Sequence, residues 1–357
     1  HHVIHYGCEG SEVECAEHVS IIKPEEQDSL LGAYDHKTQL PNHLPFDPDH
    51  KVWQLHNGRA IAEIVMRKQP QDFVCVIAGR CQQMIADHVG TDVMAVEYGI
   101  GYGGVFAQFR VYESYAHQAK CLARTGGEDP DGRWYDAVIP NYYDPADFPF
   151  FEKPSAEPYV AFVGRLINRK GILAAAQAAE AVGLPLKIAG QGAKEYQPFD
   201  VVTGRRARLV LSDGTEVLGD NFEYVGHVDI EQRAKLVGNA RALLVPTMYL
   251  EPFGGVNVEA QLYGTPVITT DWGAFPETVE HGRTGYRCRT LDHFAYALRH
   301  VDELDRRYIY ERAHKTWSMY RVRHMYDEYF RGLNDLWTKG WSTIHSDRQD
   351  LSWLTVQ

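Results

Sequence analysis

Two glutamates eight positions apart are the residues of this sequence best suited to chemistry. Glu251 and Glu259 bound the stretch EPFGGVNVE, in which Gly254 and Gly255 are adjacent. Glycines at the start of a helix let an anion approach backbone N–H groups, and the positive end of the helix dipole favours that anion. Glu259 lies one helical turn beyond Gly255, so its carboxylate can face the same ligand. Backbone amides can bind a diphosphate and carboxylates can bind hydroxyl groups, so this combination suits a sugar nucleotide.

Two cations earlier in the chain extend this pattern. Arg165 follows Gly164 at the end of an apolar run, and Lys170 stands immediately before Gly171, where a helix should begin. Cations at that place suit a diphosphate leaving group. Arg-x-x-x-x-Lys by itself is also typical of a solvated basic loop, so this interpretation depends on the Glu251 stretch.

Together these residues resemble a known family. The stretch from Glu251 to Glu259 resembles the paired-glutamate motif of the family 4 (GT4) retaining glycosyltransferases, which have the two-domain GT-B fold. The resemblance implies that Arg165 and Lys170 neutralise the donor diphosphate, that Glu251 holds sugar hydroxyls, and that Glu259 binds the ribose. It implies attack of the acceptor from the leaving-group face, without a protein nucleophile. The donor-binding residues that it indicates are Gly164, Gly190, Gly192, His227, Phe253, Gly254, Gly255, Val256 and Glu259.

Three of the family-like positions have ordinary structural interpretations as well. Gly190-Gln-Gly192 is, alone, only a tight turn, and a lone histidine such as His227 is more often a satisfied surface residue. Glu277 resembles a family position too. A carboxylate in the first turn of a helix stabilises that turn, so we interpret Glu277 as structural.

A glycine-rich run, GIGYGG at residues 99–104, matches the GxGxxG pattern after a strand. Residues 105–112 are aromatic and β-branched instead of opening a helix, and no acidic residue ends a second strand at the required distance. We therefore favour a mobile loop on the acceptor side over a dinucleotide-binding turn. Its residues are Tyr98, Gly99, Gly101, Tyr102, Gly103 and Gly104.

The same region departs from the family. Many GT4 enzymes have a histidine at the end of this strand, whereas here the position falls on Glu97 or Tyr98. We count Glu97 with Glu251, Arg165 and Lys170 among the candidate catalytic residues. Four further side chains either reach the site or simply begin an amphipathic helix, and both interpretations stay open: Arg110, Glu113, Ser114 and His117.

Alternation of apolar strands with helices predicts an α/β protein with parallel sheets and helices on their faces. The resemblance implies that this protein has the GT-B fold. We expect two Rossmann-like domains with parallel sheets facing a cleft, and a C-terminal helix that crosses back. We expect residues 1–152, completed by 320–357, to form the acceptor-side domain, which would lack its first strand and helix. Residues 153–319 are expected to form the nucleotide-sugar domain. Residues 9–50 are expected to be loops with one short helix. Asp213-Gly214 between apolar alternations predicts a hairpin, an insertion relative to the family.

Composition narrows the function classes. The net charge of −12 argues against a nucleic-acid partner, and no apolar run approaches the length of a membrane span. Peripheral contact with a membrane stays open. Six scattered cysteines without a CxxC pair indicate a protein of the reducing cytoplasm that has no zinc site. Asp47-Pro-Asp49 and Asp129-Pro-Asp131 resemble metal-binding DxD motifs, but Asp-Pro is mainly a turn signal, so we expect neither metal nor other cofactor.

The resemblance therefore implies a hexosyltransferase. It would move a hexose from a nucleotide diphosphate sugar to a hydroxyl of a glycan, a lipid-linked glycan or a small molecule. Glucose and a UDP-sugar are the first choices because they are frequent in the family. Retention of the anomeric configuration follows from the resemblance. The alternatives are a GT-B sugar-nucleotide epimerase or phosphorylase, and a non-catalytic module that binds sugar nucleotides.

Overall fold

The computed structural model describes residues 1–32, 44–124, 132–338 and 344–352. Two compact units divide the chain. The first contains the described residues of 1–112, 120–138 and 330–343, and the second contains those of 113–119, 139–329 and 344–357.

The first unit has two parallel sheets. β1 pairs with β2, and a four-stranded sheet has the order β3-β4-β5-β6. The strands are β1 (Ile4–Cys8), β2 (Glu17–Ile22), β3 (Phe73–Val76), β4 (Met94–Ile100), β5 (Phe109–Tyr112) and β6 (Ala137–Val138). The helices are α1 (Pro24–Leu31), α2 (Lys51–Arg67), α3 (Gln83–His88) and the later part of α4 (Tyr115–Arg124).

Strand β2 corrects the expectation that residues 9–50 are loops with one short helix. The helix is α1, but β2 pairs in parallel with β1, and His5 lies opposite His18. The sequence EHVSII gives a weak strand signal because its last two residues, Ile21 and Ile22, are both buried and break the alternation of a half-buried strand.

The second unit is built on a six-stranded parallel sheet with the order β12-β8-β7-β13-β14-β15. Beside it lies a three-stranded antiparallel sheet, β11-β10-β9. The strands are β7 (Val160–Val163), β8 (Leu186–Ala189), β9 (Ala193–Gln197), β10 (Ala207–Leu211), β11 (Glu216–Gly219), β12 (Phe222–Gly226), β13 (Leu243–Val245), β14 (Val267–Thr270) and β15 (Gly285–Cys288). The helices are α5 (Ile172–Ala181), α6 (Ile230–Gly238), α7 (Gly255–Leu262), α8 (Phe275–Thr278), α9 (Leu291–His300), α10 (Arg306–Trp317) and α11 (Met319–Thr338).

Burial on both faces explains why the strands of the six-stranded sheet are continuous apolar runs. In β7, Val160 and Phe162 pack in one core cluster, whereas Ala161 and the half-buried Val163 pack in another. The two clusters cover opposite faces of the sheet because successive side chains of a strand alternate.

The hairpin predicted around Asp213-Gly214 is confirmed as β10 and β11, joined at residues 212–215. β9 was not predicted, because its side chains are exposed or half-buried and carry no apolar alternation.

Helix α11 passes from the second unit into the first, in agreement with the expected C-terminal crossing helix: residues 319–329 belong to the second and 330–338 to the first. The domain boundaries placed at 152/153 and 319/320 remain a prediction, because a division by compactness does not test which segments fold together.

Candidate functional site

The carboxyl ends of β7 and β8 are joined by an unusually close approach of two turns. A Cβ atom on Gly190 would lie 1.8 Å from the carbonyl oxygen of Gly164, and Gly190 has φ 143°. The Gly190 N–H donates to the carbonyl of Gly226, at the end of β12, over 2.9 Å. Only glycine fits at position 190. Because it has no side chain, the ends of β7, β8 and β12 come close together and a ligand can approach their backbone.

From β7 the chain continues to β8 and β12 on one side of the sheet. It then returns to β13, on the other side of β7, and continues outward to β14 and β15, so the strand order reverses between β7 and β13. In open parallel sheets, ligands bind outside the carboxyl ends of the strands at such a reversal of strand order. The residues that follow β7 and β13 include Arg165, Lys170 and Glu251. Topology therefore brings the predicted cations and the first predicted carboxylate to one edge of the sheet.

Lys170 and Glu251 form an ion pair at this edge. The Lys170 Nζ lies 2.7 Å from Glu251 Oε2, and the hydroxyl of Tyr249 donates to Glu251 Oε1 over 3.0 Å. The side chains of Lys170 and Glu251 are 19% and 10% exposed. An ammonium and a carboxylate with little solvent around them interact more strongly than a surface pair, and either can still reach a ligand.

A tight turn positions Lys170. Gly171 has φ 78° and ψ 24°, and a Cβ atom there would lie 1.9 Å from the carbonyl oxygen of Pro246. The Met248 N–H donates to the carbonyl of Arg169 over 2.9 Å. The turn before α5 is thus fastened to the loop that follows β13, and this loop leads to Glu251.

The backbone of Glu251 is held from the other side. A Cβ atom on Gly273 would lie 2.6 Å from the Glu251 nitrogen, and the Ala274 N–H donates to the Glu251 carbonyl over 3.0 Å. Gly273 has φ 62°, a conformation that glycine adopts at little cost. Lys170 and Glu251 are therefore both placed by backbone contacts rather than by flexible side chains.

Helix α7 begins directly after the Glu251 loop. Gly254 precedes it with φ 81° and ψ 54°, and the first N–H groups of a helix, here those of Gly255 and Val256, have no partner within the helix. These groups match the predicted phosphate-binding amides. The Phe253 side chain, by contrast, is buried in the core, so only its backbone is available to a ligand.

Glu259 lies on α7, with Oε2 3.3 Å from Arg233 Nε, without the geometry of a hydrogen bond. Burial raises the pKa of the Glu259 carboxyl, and the charge of Arg233 opposes that rise. The hydroxyl of Tyr143 donates to the Gly255 carbonyl at 3.3 Å, one turn earlier on α7.

Two further predicted donor residues are open to solvent. Arg165 is exposed, and its guanidinium makes no hydrogen bond or ion pair with the residues that the structure describes. His227 is also exposed, directly after the end of β12. Gly192 has φ 109° and packs on the backbone of Leu166, which keeps the Gly190-Gln-Gly192 turn against the loop of Arg165.

In the first unit, Glu97 is fully buried and its carboxylate is used inside its own loop. It accepts hydrogen bonds from the Tyr102 hydroxyl at 3.1 Å and from the N–H groups of Phe106 and Ala107 at 3.0 and 3.1 Å. Burial raises the pKa of Glu97, and these three donors oppose the rise. The contacts indicate that Glu97 holds the glycine-rich loop; a catalytic role for it remains a prediction without support from this geometry.

Several contacts hold the backbone of the glycine-rich loop; its mobility and its place on the acceptor side remain predictions. Gly99 and Gly104 have φ 58° and 82°, the Arg80 N–H donates to the Gly104 carbonyl, and residues 98–100 are the last part of β4. Strand β5 follows instead of a helix, so the loop offers no helix N-terminus to a dinucleotide.

Residues 113–119 belong to the second unit. Of this segment, the sequence left open whether its polar side chains reach the site or simply begin an amphipathic helix. The Ser114 hydroxyl donates to the Pro252 carbonyl at 2.5 Å, and the N–H groups of Tyr115 and Ala116 donate to the Glu277 carboxylate at 2.9 and 2.8 Å. Glu277 is thus structural, as expected, but it stabilises the first turn of α4 instead of its own helix. Contacts between residues so far apart in sequence leave no local signal.

A metal site is not apparent among the described residues, in which no group of three or more His, Cys, Asp or Glu side chains is arranged to hold an ion. The Asp49 N–H donates to Asp47 Oδ1 at 3.1 Å, as in a turn. Asp129-Pro-Asp131 lies outside the described residues. None of the helices in the described part of the chain has the length and apolar content to cross a bilayer.

Comparison with known proteins agrees with this geometry. Residues 144–315, just under half of the chain, match the family described as "Glycosyl transferases group 1". These residues form a glycosyltransferase group 1 domain. The domain contains the whole Lys170–Glu251–Glu259 arrangement and ends before α11.

One curated relative is glycogen synthase from Mycobacterium tuberculosis, which is 34% identical to this chain over 162 residues, 43% of this chain and 36% of that protein. The match thus spans little more than a third of the relative's length.

Solved structures extend the likeness to the fold of the rest of the chain. Sucrose-phosphate synthase from Thermosynechococcus elongatus has a TM-score of 0.59 at 19% identity, with 83% of this chain and 82% of that chain covered. HepE from Anabaena, solved in complex with UDP-glucose, has a TM-score of 0.55 at 17% identity, covering 78% and 83%. The group 1 domain therefore lies within a GT-B fold.

Proposed function

We propose that this protein transfers a hexose from a nucleoside diphosphate sugar to a hydroxyl acceptor. Glucose is the first candidate for the sugar and UDP for the nucleotide. The reaction would retain the anomeric configuration, as in the GT4 family that the Glu251 stretch resembles. The acceptor class, a glycan, a lipid-linked glycan or a small molecule, is left open.

The observation that carries the proposal is the Lys170–Glu251 pair beside the start of α7. An ammonium, the exposed guanidinium of Arg165 and the first N–H groups of α7 together offer positive charge to a diphosphate. Glu251 offers oxygens to sugar hydroxyls in the same place. A ligand that has a diphosphate directly joined to a sugar fits this combination.

The arrangement also fits the chemistry of glycosyl transfer. Breaking the bond between the anomeric carbon and the phosphate oxygen leaves positive charge on the sugar and negative charge on the diphosphate. Lys170, Arg165 and the α7 amides would stabilise that negative charge, and removing one such group typically costs about 10²–10³-fold in turnover. Glu251 would orient the hexose, and Glu259 would bind the ribose.

Three further points are part of the proposal. UDP as the nucleotide is supported by the Anabaena HepE complex, a protein that shares the fold. Independence from divalent metals is supported by the cationic groups at the edge of the sheet, which take the place of an ion. A cytoplasmic location is supported by six cysteines that are all free.

The first experiment is a thermal-shift screen of UDP-, GDP- and ADP-sugars, followed by incubation with the best donor and chromatography of the products. Transfer or slow hydrolysis releases free nucleoside diphosphate, and NMR of a glycosylated product reports its anomeric configuration. Glu251→Gln keeps the size of the side chain and serves as the low-activity control. An assay in excess EDTA tests the metal independence.

The alternatives give different products. An epimerase converts the donor to its epimer, a phosphorylase forms a sugar phosphate and requires inorganic phosphate, and a non-catalytic module binds donor without releasing anything. If no nucleotide sugar binds, or if activity lost in EDTA returns with Mn²⁺ or Mg²⁺, the corresponding part of the proposal is wrong.

A further inference from the structure

Glu113 is a carboxyl group near the proposed donor site to which no role has been given. It follows β5 directly and belongs to the second unit, together with Glu251. Its neighbours in sequence are anchored there, because Ser114 donates to the carbonyl of Pro252, the residue after Glu251. The anchoring places the backbone of Glu113 beside the Glu251 loop.

One oxygen of Glu113 has a partner and the other does not. Oε1 accepts a hydrogen bond from Asn141 Nδ2 at 2.9 Å, whereas Oε2 receives none from any residue within the described ranges. Each oxygen of Glu251 already accepts one hydrogen bond, from Lys170 or from Tyr249. Glu113 thus has one oxygen that is free to accept a first hydrogen bond from a ligand.

The electrostatic surroundings of Glu113 agree with this position. Burial raises its pKa, the bond from Asn141 opposes the rise, and the charge of Glu251 adds to it. Glu113 in turn contributes to the raised pKa of Tyr143, after burial and Glu259. Tyr143 contacts Gly255, so Glu113 lies within electrostatic reach of Glu251 and of a side chain that contacts the start of α7.

The position of the Glu113 carboxylate lowers the stability of the folded protein. A half-buried carboxylate close to a second carboxylate is disfavoured by desolvation and by like-charge repulsion, and a single amide donor offsets only part of that. Groups perturbed in this way beside a candidate site are often functional. A hydroxyl group of a ligand would donate to Oε2 and satisfy it.

We propose that Glu113 binds a hydroxyl group of the transferred hexose, on the side of the sugar next to Glu251, and so helps select which sugar is used. This rests on the proposed function, since it assumes a nucleotide-sugar donor. A hydrogen bond from a hydroxyl to a carboxylate is short and strong. A site built around it discriminates against a sugar that lacks that hydroxyl, because the carboxylate is then left unpaired.

The test compares two ligands that differ only in the hexose. Calorimetry measures the Kd of UDP-glucose and of UDP for the wild type, Glu113→Gln and Glu113→Ala; if the screen favours another nucleotide, the matching pair is used. We expect Glu113→Ala to weaken UDP-glucose about 10-fold or more, the loss typical of a hydrogen bond to a charged group, and to leave UDP within about 2-fold. Glu113→Gln should fall between the two.

Glu277→Ala is the matched control. It removes a carboxylate that anchors the same segment through Tyr115 and Ala116 without touching Glu113. If it reproduces the loss of UDP-glucose affinity, or if Glu113→Ala weakens UDP and UDP-glucose equally, Glu113 acts through the position of the segment and the proposal is wrong.

Monodeoxy analogues of UDP-glucose identify the hydroxyl. Removing the hydroxyl that Glu113 binds should weaken binding to the wild type and have little further effect on Glu113→Ala. Additive losses at every hydroxyl would overturn the assignment. If the wild type transfers or hydrolyses UDP-glucose and Glu113→Ala binds it normally, only this inference fails; if the wild type binds no nucleotide sugar, the proposed function fails with it.

Discussion

The Nζ of Lys170 and Oε2 of Glu251 are 2.7 Å apart, although the two residues are separated by 81 positions in the chain. The pair joins the turn before α5 to the loop after β13. Each partner is also a group that the proposed reaction needs, the cation for the diphosphate and the carboxylate for the hexose. A donor would therefore bind to two side chains whose positions depend on each other.

This dependence can be measured with a double-mutant cycle on kcat/KM. We expect Lys170→Ala and Glu251→Gln each to lower kcat/KM by about 10²–10³-fold. The double variant should lose less than the product of the two, with a coupling free energy of about 0.5–3 kcal/mol, because each single change already disturbs the partner. Independent, multiplicative losses would mean that the ion pair does not matter for catalysis. Tyr249→Phe removes the other bond to Glu251 and should cost less than Lys170→Ala.

Glu259 and Glu251 should differ in what they bind. Glu259 lies on α7 with Arg233 as its ion-pair partner, away from the Lys170 contact. We expect Glu259→Ala to weaken UDP by about 1.5–3 kcal/mol, the value of a lost bond to a charged group, and Glu251→Ala to affect mainly turnover. Calorimetry with UDP and steady-state kinetics separate the two effects. Unchanged UDP affinity in Glu259→Ala would remove its assignment to the ribose.

The hairpin formed by β10 and β11 should support the diphosphate site. Asp213 Oδ2 accepts a hydrogen bond from the Asn168 N–H at 2.8 Å, at the start of the turn that carries Lys170. Asp213→Ala should lower kcat/KM by an amount equivalent to about 0.5–2 kcal/mol, as for a lost helix cap. Asp200→Ala is the control, since Asp200 caps Val202 and Thr203 at the other end of the same strands. Equal effects of the two variants would show that the hairpin has only a general role in stability.

Glu97 should make the stability of the protein depend on pH. Its pKa is raised in the folded state, so the protonated form is favoured there. The contribution of its titration to the free energy of unfolding is fully present below the unfolded pKa, about 4.3, and is lost as pH rises through the folded value. The stability of the wild type relative to Glu97→Gln should therefore fall as pH rises above about 4.3.

Urea unfolding of both proteins at several pH values measures that difference. Tyr102→Phe removes a donor that lowers the pKa of Glu97, so it should extend the fall to higher pH. A difference that rises with pH would show that the three hydrogen bonds to the carboxylate outweigh its burial.

Much of the second unit could be predicted because its signals are local. In β7, β12 and β14, each apolar run is followed within a few residues by its own glycine turn. The Glu251 stretch is also a short continuous segment. The hairpin followed from Asp213-Gly214 for the same reason. The strands β2 and β9 were missed because their side chains largely lack alternating burial.

The site was less accessible to sequence reasoning where it depends on distant contacts. The hydrogen bonds of Ser114 to Pro252 and of Tyr115 to Glu277 join residues that are 138 and 162 positions apart. The sequence around these residues gives no signal that predicts the contacts. Glu97 was assigned by its place at the end of a strand. Its partners, two backbone amides and Tyr102, are set by how the next loop folds back, which a one-dimensional pattern does not contain.

The three-stranded sheet that contains the hairpin has one end at the donor loop and the other in solvent. Its outer turn displays Val201 and Val202, 85% and 94% exposed, while the turn at Asp213 touches the backbone beside Lys170. Paired strands thus connect the exposed turn at Val201 and Val202 to the backbone beside Lys170. A fluorophore or a tether attached at position 202 would report on, or pull, the donor loop from a distance, without any chemistry at the site itself.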